Sequence, residues 1–174
     1  MCNAYLKFKG IRQHLSALTW GNCGFAYGCA MGAKLGNPKA PVFAFQGDGA
    51  WGISGLSEVM TAVREEIPVI AVVVKNYEWG AEKKNQIDYY NNRFIGANLP
   101  TNPDYAKLAE DMGAKGYSVE NYQDVQDVVR DAIASGRPCV IDATVEGGEK
   151  VLAEPFRRDA LQKATRYLDK YKHL

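Results

Sequence analysis

The stretch "VFAFQGDGAWG", residues 42–52, opens as an apolar, strand-like run and turns at Gly47, Gly49 and Gly52, spaced G-x-G-x-x-G. That is the spacing of a dinucleotide fingerprint, where a bare pyrophosphate lies on backbone N–H groups and an acid about 20 residues later holds the ribose. Here the next strand ends "VVVKN", so Lys75 and Asn76 stand where the acid is due. Asp48, between the two glycines, would repel a bare diphosphate that the glycine backbone approaches closely. A divalent cation between them converts the repulsion into a bridge. The Asp48 carboxylate and the Asn76 amide oxygen, at the ends of two adjacent parallel strands, are oxygen ligands of the kind Mg²⁺ takes while keeping diphosphate oxygens and water. The plainer reading is that Gly47-Asp48-Gly49 is only a turn and Asn76 only starts a loop.

Outward from this turn, apolar β-branched runs alternate with helical patterns. Residues 42–45, 69–74, 117–119 and 139–145 read as strands. Ile53, Leu56, Met60, Val63 and Ile67, at spacings of three and four, predict one core-facing helix stripe ending at Pro68. A second helix runs from about Asp104 to Met112 and stops at Gly113. A third places Val125, Val128, Val129 and Ile133 on one face before Gly136. Strand–helix–strand repetition with nearly continuous apolar strands predicts a doubly wound α/β domain, its mostly parallel sheet carrying helices on both faces. Upstream, residues 21–38 are rich in Gly and Ala, letting a helix lie close to the sheet or to a ligand. Residues 77–100 form the longest stretch without a clear element, and a connection this long is more often functional than idle. The domain is expected over 1–150, followed by a charged helical extension over 151–174.

A chain of 174 residues with formal net charge +1 carries no basic field, which excludes nucleic acid as the expected partner. Cys2, Cys23, Cys29 and Cys139 form no C-x-x-C pair, and the only histidines are His14 and His173. The cysteines therefore read as reduced thiols of a cytoplasmic protein, not as a metal site. No apolar run reaches the roughly 18 residues that cross a bilayer, and no leader pattern appears.

Gly47-Asp48-Gly49 followed 28 positions after Asp48 by Asn76 resembles the thiamine diphosphate (ThDP) enzymes. The resemblance implies that the metal ligands are Asp48, Asn76 and the backbone carbonyl of Glu78, and that the cofactors are ThDP and Mg²⁺. Lys75 departs from the double Asn usual in that family. "TWGNCGFA", residues 19–26, looks like the family's cofactor turn. By that likeness the Gly21 carbonyl accepts from the aminopyrimidine, and Cys23 sits where an apolar wedge bends the cofactor. From its chemistry alone Cys23 reads instead as a small buried thiol. The implied cradle comprises Gly21, Asn22, Cys23, Gly47, Asp48, Gly49, Ala50, Asn76, Glu78, Trp79 and Gly80.

"WGAEKKNQIDYYNNRF" (79–94) and "LAEPFRRDAL" (152–161) narrow the likeness to the pyrophosphate-binding domain of the sulfoacetaldehyde acetyltransferase family, across nearly the whole chain. Such enzymes convert sulfoacetaldehyde and phosphate to acetyl phosphate and sulfite. Both substrates are small anions, so Lys83, Lys84, Asn85, Gln86 and Arg93 become candidates to meet them, although adjacent lysines are as often simply solvated. Trp79 either walls the pocket or anchors its loop, and His14, without a partner, reads as structural. The resemblance further implies that the activating glutamate comes from a pyrimidine-binding domain or subunit, so that this chain alone is inactive and works in an oligomer. It also implies that Met1 falls inside the domain, leaving the sheet short of its first strand, as in a fragment more than a natural small subunit. Two alternatives stay open: a subunit of another ThDP lyase or synthase, of sulfopyruvate decarboxylase β or acetolactate synthase type, and a non-catalytic nucleotide- or partner-binding module.

Overall fold

In the computed structural model, residues 6–11, 13–17, 20–101 and 103–147 are described. Helix α1 (Phe25–Gly36) leads into strand β1 (Phe43–Gly47), which passes directly into helix α2 (Asp48–Ile53) and then α3 (Glu58–Arg64). Strand β2 (Ile70–Lys75), helix α4 (Gly80–Tyr89), helix α5 (Tyr105–Asp111) and strand β3 (Lys115–Val119) follow. A 3₁₀ turn at Tyr122–Asp124, helix α6 (Val125–Ser135) and strand β4 (Cys139–Thr144) complete the order. The four strands pair in parallel in the order β1-β2-β4-β3. The expected extension over 151–174 lies outside the described residues.

Strand alternation sends side chains to two faces, and each face has its own core. On one, Ala44, Ala71, Val73 and Val140 meet Tyr27 and Met31 of α1, Trp51 of α2, Val59 and Ala62 of α3, and Ala109 of α5. On the other, Ile70, Cys139 and Ile141 meet Ala132 of α6, with Val128 and Val129 alongside. This is the doubly wound arrangement expected, unevenly loaded: α6 serves the β3–β4 half of its face, and Phe45 of the edge strand β1 stays 42% exposed.

The stripe expected over 53–67 is corrected. Gly55, at φ 137°, breaks the run in two, so Ile53 belongs to α2 and the later residues to a helix of different phase. Val59 and Ala62 become the buried positions, with Leu56, Val63 and Ile67 beside them, whereas Ile53 and Met60 are more than 60% exposed. On α6 the core line runs through Val128, Val129 and Ala132; Val125 and Ile133 are each 44% exposed. Helix α5 forms where expected, capped by the Asp104 side chain accepting from Lys107 N at 2.9 Å. The stretch 77–100 is corrected as well, since it contains the ten-residue helix α4. That helix buries no residue, so it carries no apolar stripe by which to recognise it. Residues 21–38 do form a helix, but Cβ atoms at Gly28, Gly32 and Gly36 would meet nothing within 4 Å, so these glycines face open space, away from the sheet.

Candidate functional site

Because β1 ends at Gly47 and α2 starts at the next residue, Asp48 is delivered to the C-terminal edge of the sheet with its side chain buried. Its two oxygens are aimed by two backbone donors. Gly49 N donates to Oδ1 at 3.0 Å and Tyr77 N donates to Oδ2 at 2.7 Å. Glycine is required at 49 because the Trp79 indole lies against it; a Cβ there would come within 2.8 Å of the ring. The G-D-G turn and the turn after β2 are thus locked together, and Trp79 anchors its loop.

The turn after β2 is built around a strained residue. Tyr77 adopts φ 60°, a left-handed conformation that costs a non-glycine residue about 1–2 kcal/mol. The chain reverses there, with Leu99 N donating to Tyr77 O and Trp79 N to Ala97 O, so that the Glu78 carbonyl comes back beside the Asn76 side chain. With its Nδ2 turned inward, Asn76 donates to Glu78 O at 3.1 Å and to Asp48 Oδ1 at 3.3 Å. Turning the amide over puts its oxygen at the same point, opposite two other oxygens, which only a cation stabilises. Adjacent corners of a Mg²⁺ octahedron with bonds of about 2.1 Å lie about 3.0 Å apart, so this donor set fits a small divalent ion in chemistry and in spacing.

Beside the Gly47-Asp48-Gly49 turn a groove of about 1140 Å³ runs along the edge strand β1, lined by Phe43 and Phe45 as well as by Gly21, Asn22, Cys23, Gly47 and Ala50. Gly21 and Gly24 both take positive φ, and Gly24 lies so close to Ser54 that a Cβ would fall 2.3 Å from its Cβ. The entry to α1 is thereby fastened to the end of α2. Cys23 is exposed, which removes the reading of it as a buried core thiol. Gly80 opens α4 directly after Trp79. His14 stacks on Phe8, with ring centroids 4.8 Å apart.

The candidate substrate residues separate. Lys83, Lys84, Asn85 and Gln86 lie on α4, not in a loop. Lys83 is paired with Glu78 at 2.5 Å and Lys84 with Asp88 at 2.5 Å, both partly buried. Gln86 exchanges hydrogen bonds with the backbone of Ile95. Arg93 is exposed and its guanidinium has no ion pair among the described residues.

Three residues to which the sequence assigned no role in the site stand behind the Asn76–Glu78 turn. Lys75 Nζ lies 2.6 Å from Asp142 Oδ2, both side chains being at most 9% exposed. The same oxygen accepts from Tyr105 N at 3.0 Å, and the Tyr105 hydroxyl lies 3.5 Å from Asp48 O. Their signal in the sequence was a charge set inside each of two apolar strands, "VIAVVVK" and "CVIDATV", since a buried charge demands a partner.

Burial tends to lower the Lys75 ammonium pKa, but the hydrogen bond and charge of Asp142 outweigh it and hold it above its ordinary value. Burial, then the charges of Asp48 and Asp142, push the Tyr105 phenol up to about 12. Tyr27 is also raised, chiefly by burial. All three groups keep their protons in the folded state after the unfolded chain has begun to lose them. Folding stability is therefore expected to be unaffected by them below about pH 10, and to fall above it by about 1.4 kcal/mol per pH unit for each group engaged. Urea midpoints measured from pH 8 to 11 check this; a midpoint flat to pH 11 would contradict it.

The family model for the thiamine pyrophosphate enzyme, C-terminal TPP binding domain, matches residues 1–143. The chain is similar to a sulfoacetaldehyde acetyltransferase of Alcaligenes xylosoxydans xylosoxydans, at 45% identity over 99% of this chain and 28% of that protein. It is similar to another from Castellaniella defragrans, at 44% identity over 99% of this chain and 29% of that protein. Among solved structures it resembles the Rhodococcus jostii RHA1 thiamine diphosphate-dependent 4-hydroxybenzoylformate decarboxylase, with TM-score 0.69 and 27% identity over 74% of this chain and 24% of that one. The chain thus spans less than a third of the length of the relatives it matches.

Proposed function

The chain belongs to the thiamine pyrophosphate enzyme C-terminal TPP-binding domain family, and from that premise we propose that it is the cofactor-holding domain of an enzyme acting on sulfoacetaldehyde and phosphate. In this reading Asp48, Asn76 and the Glu78 carbonyl hold Mg²⁺, and the ion ties the cofactor diphosphate to Gly47, Gly49 and Ala50. Gly21, Asn22 and Cys23 line the groove for the rest of the cofactor, and Trp79 with Gly80 closes the diphosphate end. Bound ThDP supplies a nucleophilic carbon and an electron sink. The chain's own contribution is to fix the ion's ligands in advance and to start α4 directly after the Asn76–Glu78 turn and Trp79. With Lys83 and Lys84 committed to carboxylates, Arg93 is the cation assigned to meet an anionic substrate.

The observation that carries the cofactor reading is the Asn76 amide lying 3.1 Å from Glu78 O and 3.3 Å from Asp48 Oδ1. The substrate class rests on 45% identity across 99% of the chain to a sulfoacetaldehyde acetyltransferase. The groove also needs a pyrimidine-binding domain or subunit to face the far edge of the cofactor, and phosphate as second substrate. Titration with ThDP plus Mg²⁺ is expected to give saturable heat that NAD does not. Mixing with a matching pyrimidine domain is then expected to produce acetyl phosphate and sulfite, which the chain alone does not. Restored activity confined to 2-oxo acids would move the assignment to a decarboxylase or synthase, and binding of NAD without ThDP would remove it.

A further inference from the structure

Lys75 immediately precedes the candidate ligand Asn76, yet its side chain does not enter the cation triangle. It turns back into the sheet. In the parallel register Lys75 faces Thr144 and Val73 faces Asp142, so the ammonium reaches one step diagonally along β4 to the carboxylate. There Nζ also lies over two aromatic rings, 5.6 Å from the centre of Tyr77 and 5.9 Å from that of Tyr105. These are the residues whose other groups touch the site. Tyr77 N donates to Asp48 Oδ2 and carries the left-handed turn; Tyr105 places its hydroxyl at Asp48 O and its backbone N–H on Asp142.

We propose that Lys75, anchored on Asp142 and set against the rings of Tyr77 and Tyr105, is the positioning residue of the cation-binding turn Asn76–Glu78. This rests on the reading that Asp48, Asn76 and Glu78 hold Mg²⁺. A left-handed Tyr77 is a disfavoured conformation that persists only where its surroundings hold it. A buried cation against its ring, fixed by a carboxylate from another strand, holds it. A buried ion pair is not needed for fold stability, since apolar pairs of like volume serve as well or better. Its place at the strand ends, joined on both sides to Asp48, is what a purely structural pair would not require.

Positioning has a signature that loss of stability lacks. Mg²⁺ demands near-ideal octahedral geometry, whereas Ca²⁺ accepts longer bonds and irregular shells. A turn that drifts by a few tenths of an ångström therefore loses Mg²⁺ much more than Ca²⁺. The test uses the full chain with Lys75→Met and Asp142→Asn together, so that no charge is left buried alone and residue 142 still accepts from Tyr105 N. Dissociation constants for Mg²⁺ and for Ca²⁺, each at saturating ThDP, are measured by calorimetry beside the ligand-free melting temperature. The expected result is a Mg²⁺ affinity lower by about 10-fold or more, as for other groups that orient metal ligands, with Ca²⁺ affinity within about 2-fold and melting little changed. Tyr77→Leu, which keeps the ion pair and removes one ring, is the second variant and decides the matter if the double variant does not fold; the same shift in the Mg²⁺/Ca²⁺ ratio is expected. An unchanged ratio, or equal losses for both ions, overturns the positioning role. Asp48→Asn, run in parallel, separates the two ideas: if it binds Mg²⁺–ThDP as the parent does, the metal-site reading itself fails.

Discussion

Asp48→Asn is expected to weaken Mg²⁺-dependent ThDP binding by about 100-fold or more, equivalent to about 2.7 kcal/mol. The substitution keeps shape and removes charge. A carboxylate is the only anionic donor in the proposed triangle, and without it the ion must hold the diphosphate using neutral oxygens alone. The structure also sets what the substitution does to the fold. Both carboxylate oxygens accept backbone N–H groups, from Gly49 and from Tyr77, and an Asn side chain has one acceptor atom. One buried N–H then faces an amide nitrogen, at a cost of about 1–3 kcal/mol. For a chain of this length that lowers the melting temperature by roughly 2–4 °C per kcal/mol. The informative result is thus loss of binding at a temperature well below a melting point lowered by only several degrees. Parent-like affinity would remove Asp48 from the metal site.

Gly116→Ala is expected to be the most damaging single methyl added outside the site. Gly116 lies in β3 beneath the first turn of α5, and a Cβ there would fall 2.2 Å from Ala106 O and 2.7 Å from its carbonyl carbon. Both atoms are backbone, so no side-chain rotation relieves the clash, and α5 as a whole must lift from the sheet. A cost of about 3 kcal/mol, at the upper end for overpacking, lowers the melting temperature by roughly 6–12 °C. Because α5 starts with Tyr105, which touches Asp142 and Asp48, the same methyl is expected to weaken Mg²⁺–ThDP binding without touching a ligand. Differential scanning calorimetry beside the binding titration checks both effects. A parent-like melting temperature would show that α5 can move freely on β3.

What the sequence made legible follows from how local each signal is. Strands β1, β2 and β4 were readable because each is a mostly apolar run between turn residues, β3 showed only as the short run 117–119, and the parallel sheet followed from their alternation with helices. Asp48 and Asn76, which the structure sets side by side, stood out because a carboxylate beside glycines and a polar residue ending an apolar strand are both local oddities. The broken helix at Gly55 was not, since its two halves share a spacing that a single helix also satisfies. Helix α4 escaped because its stabilising contacts are polar: Lys84 to Asp88 within it, Lys83 to Glu78 at its start. That the two strand charges are partners, with Tyr105 beside them, was illegible for another reason. Lys75, Tyr105 and Asp142 are far apart in the chain, and it takes the β2–β4 pairing and the packing of α5 on β4 to bring them together.

That last separation orders events in time. The three candidate ion donors lie within residues 48–78, on one strand–helix–strand unit that needs only β1 and β2 to pair. Asp142 lies 67 positions beyond Lys75 and arrives only when β4 inserts beside β2. The loop it must close is longer, and chains emerge from the ribosome N-terminal end first. A nascent chain thus acquires the outline of the candidate ion site early and its final tolerance late, when β4 enters the middle of the sheet and fixes what β1 and β2 had only sketched.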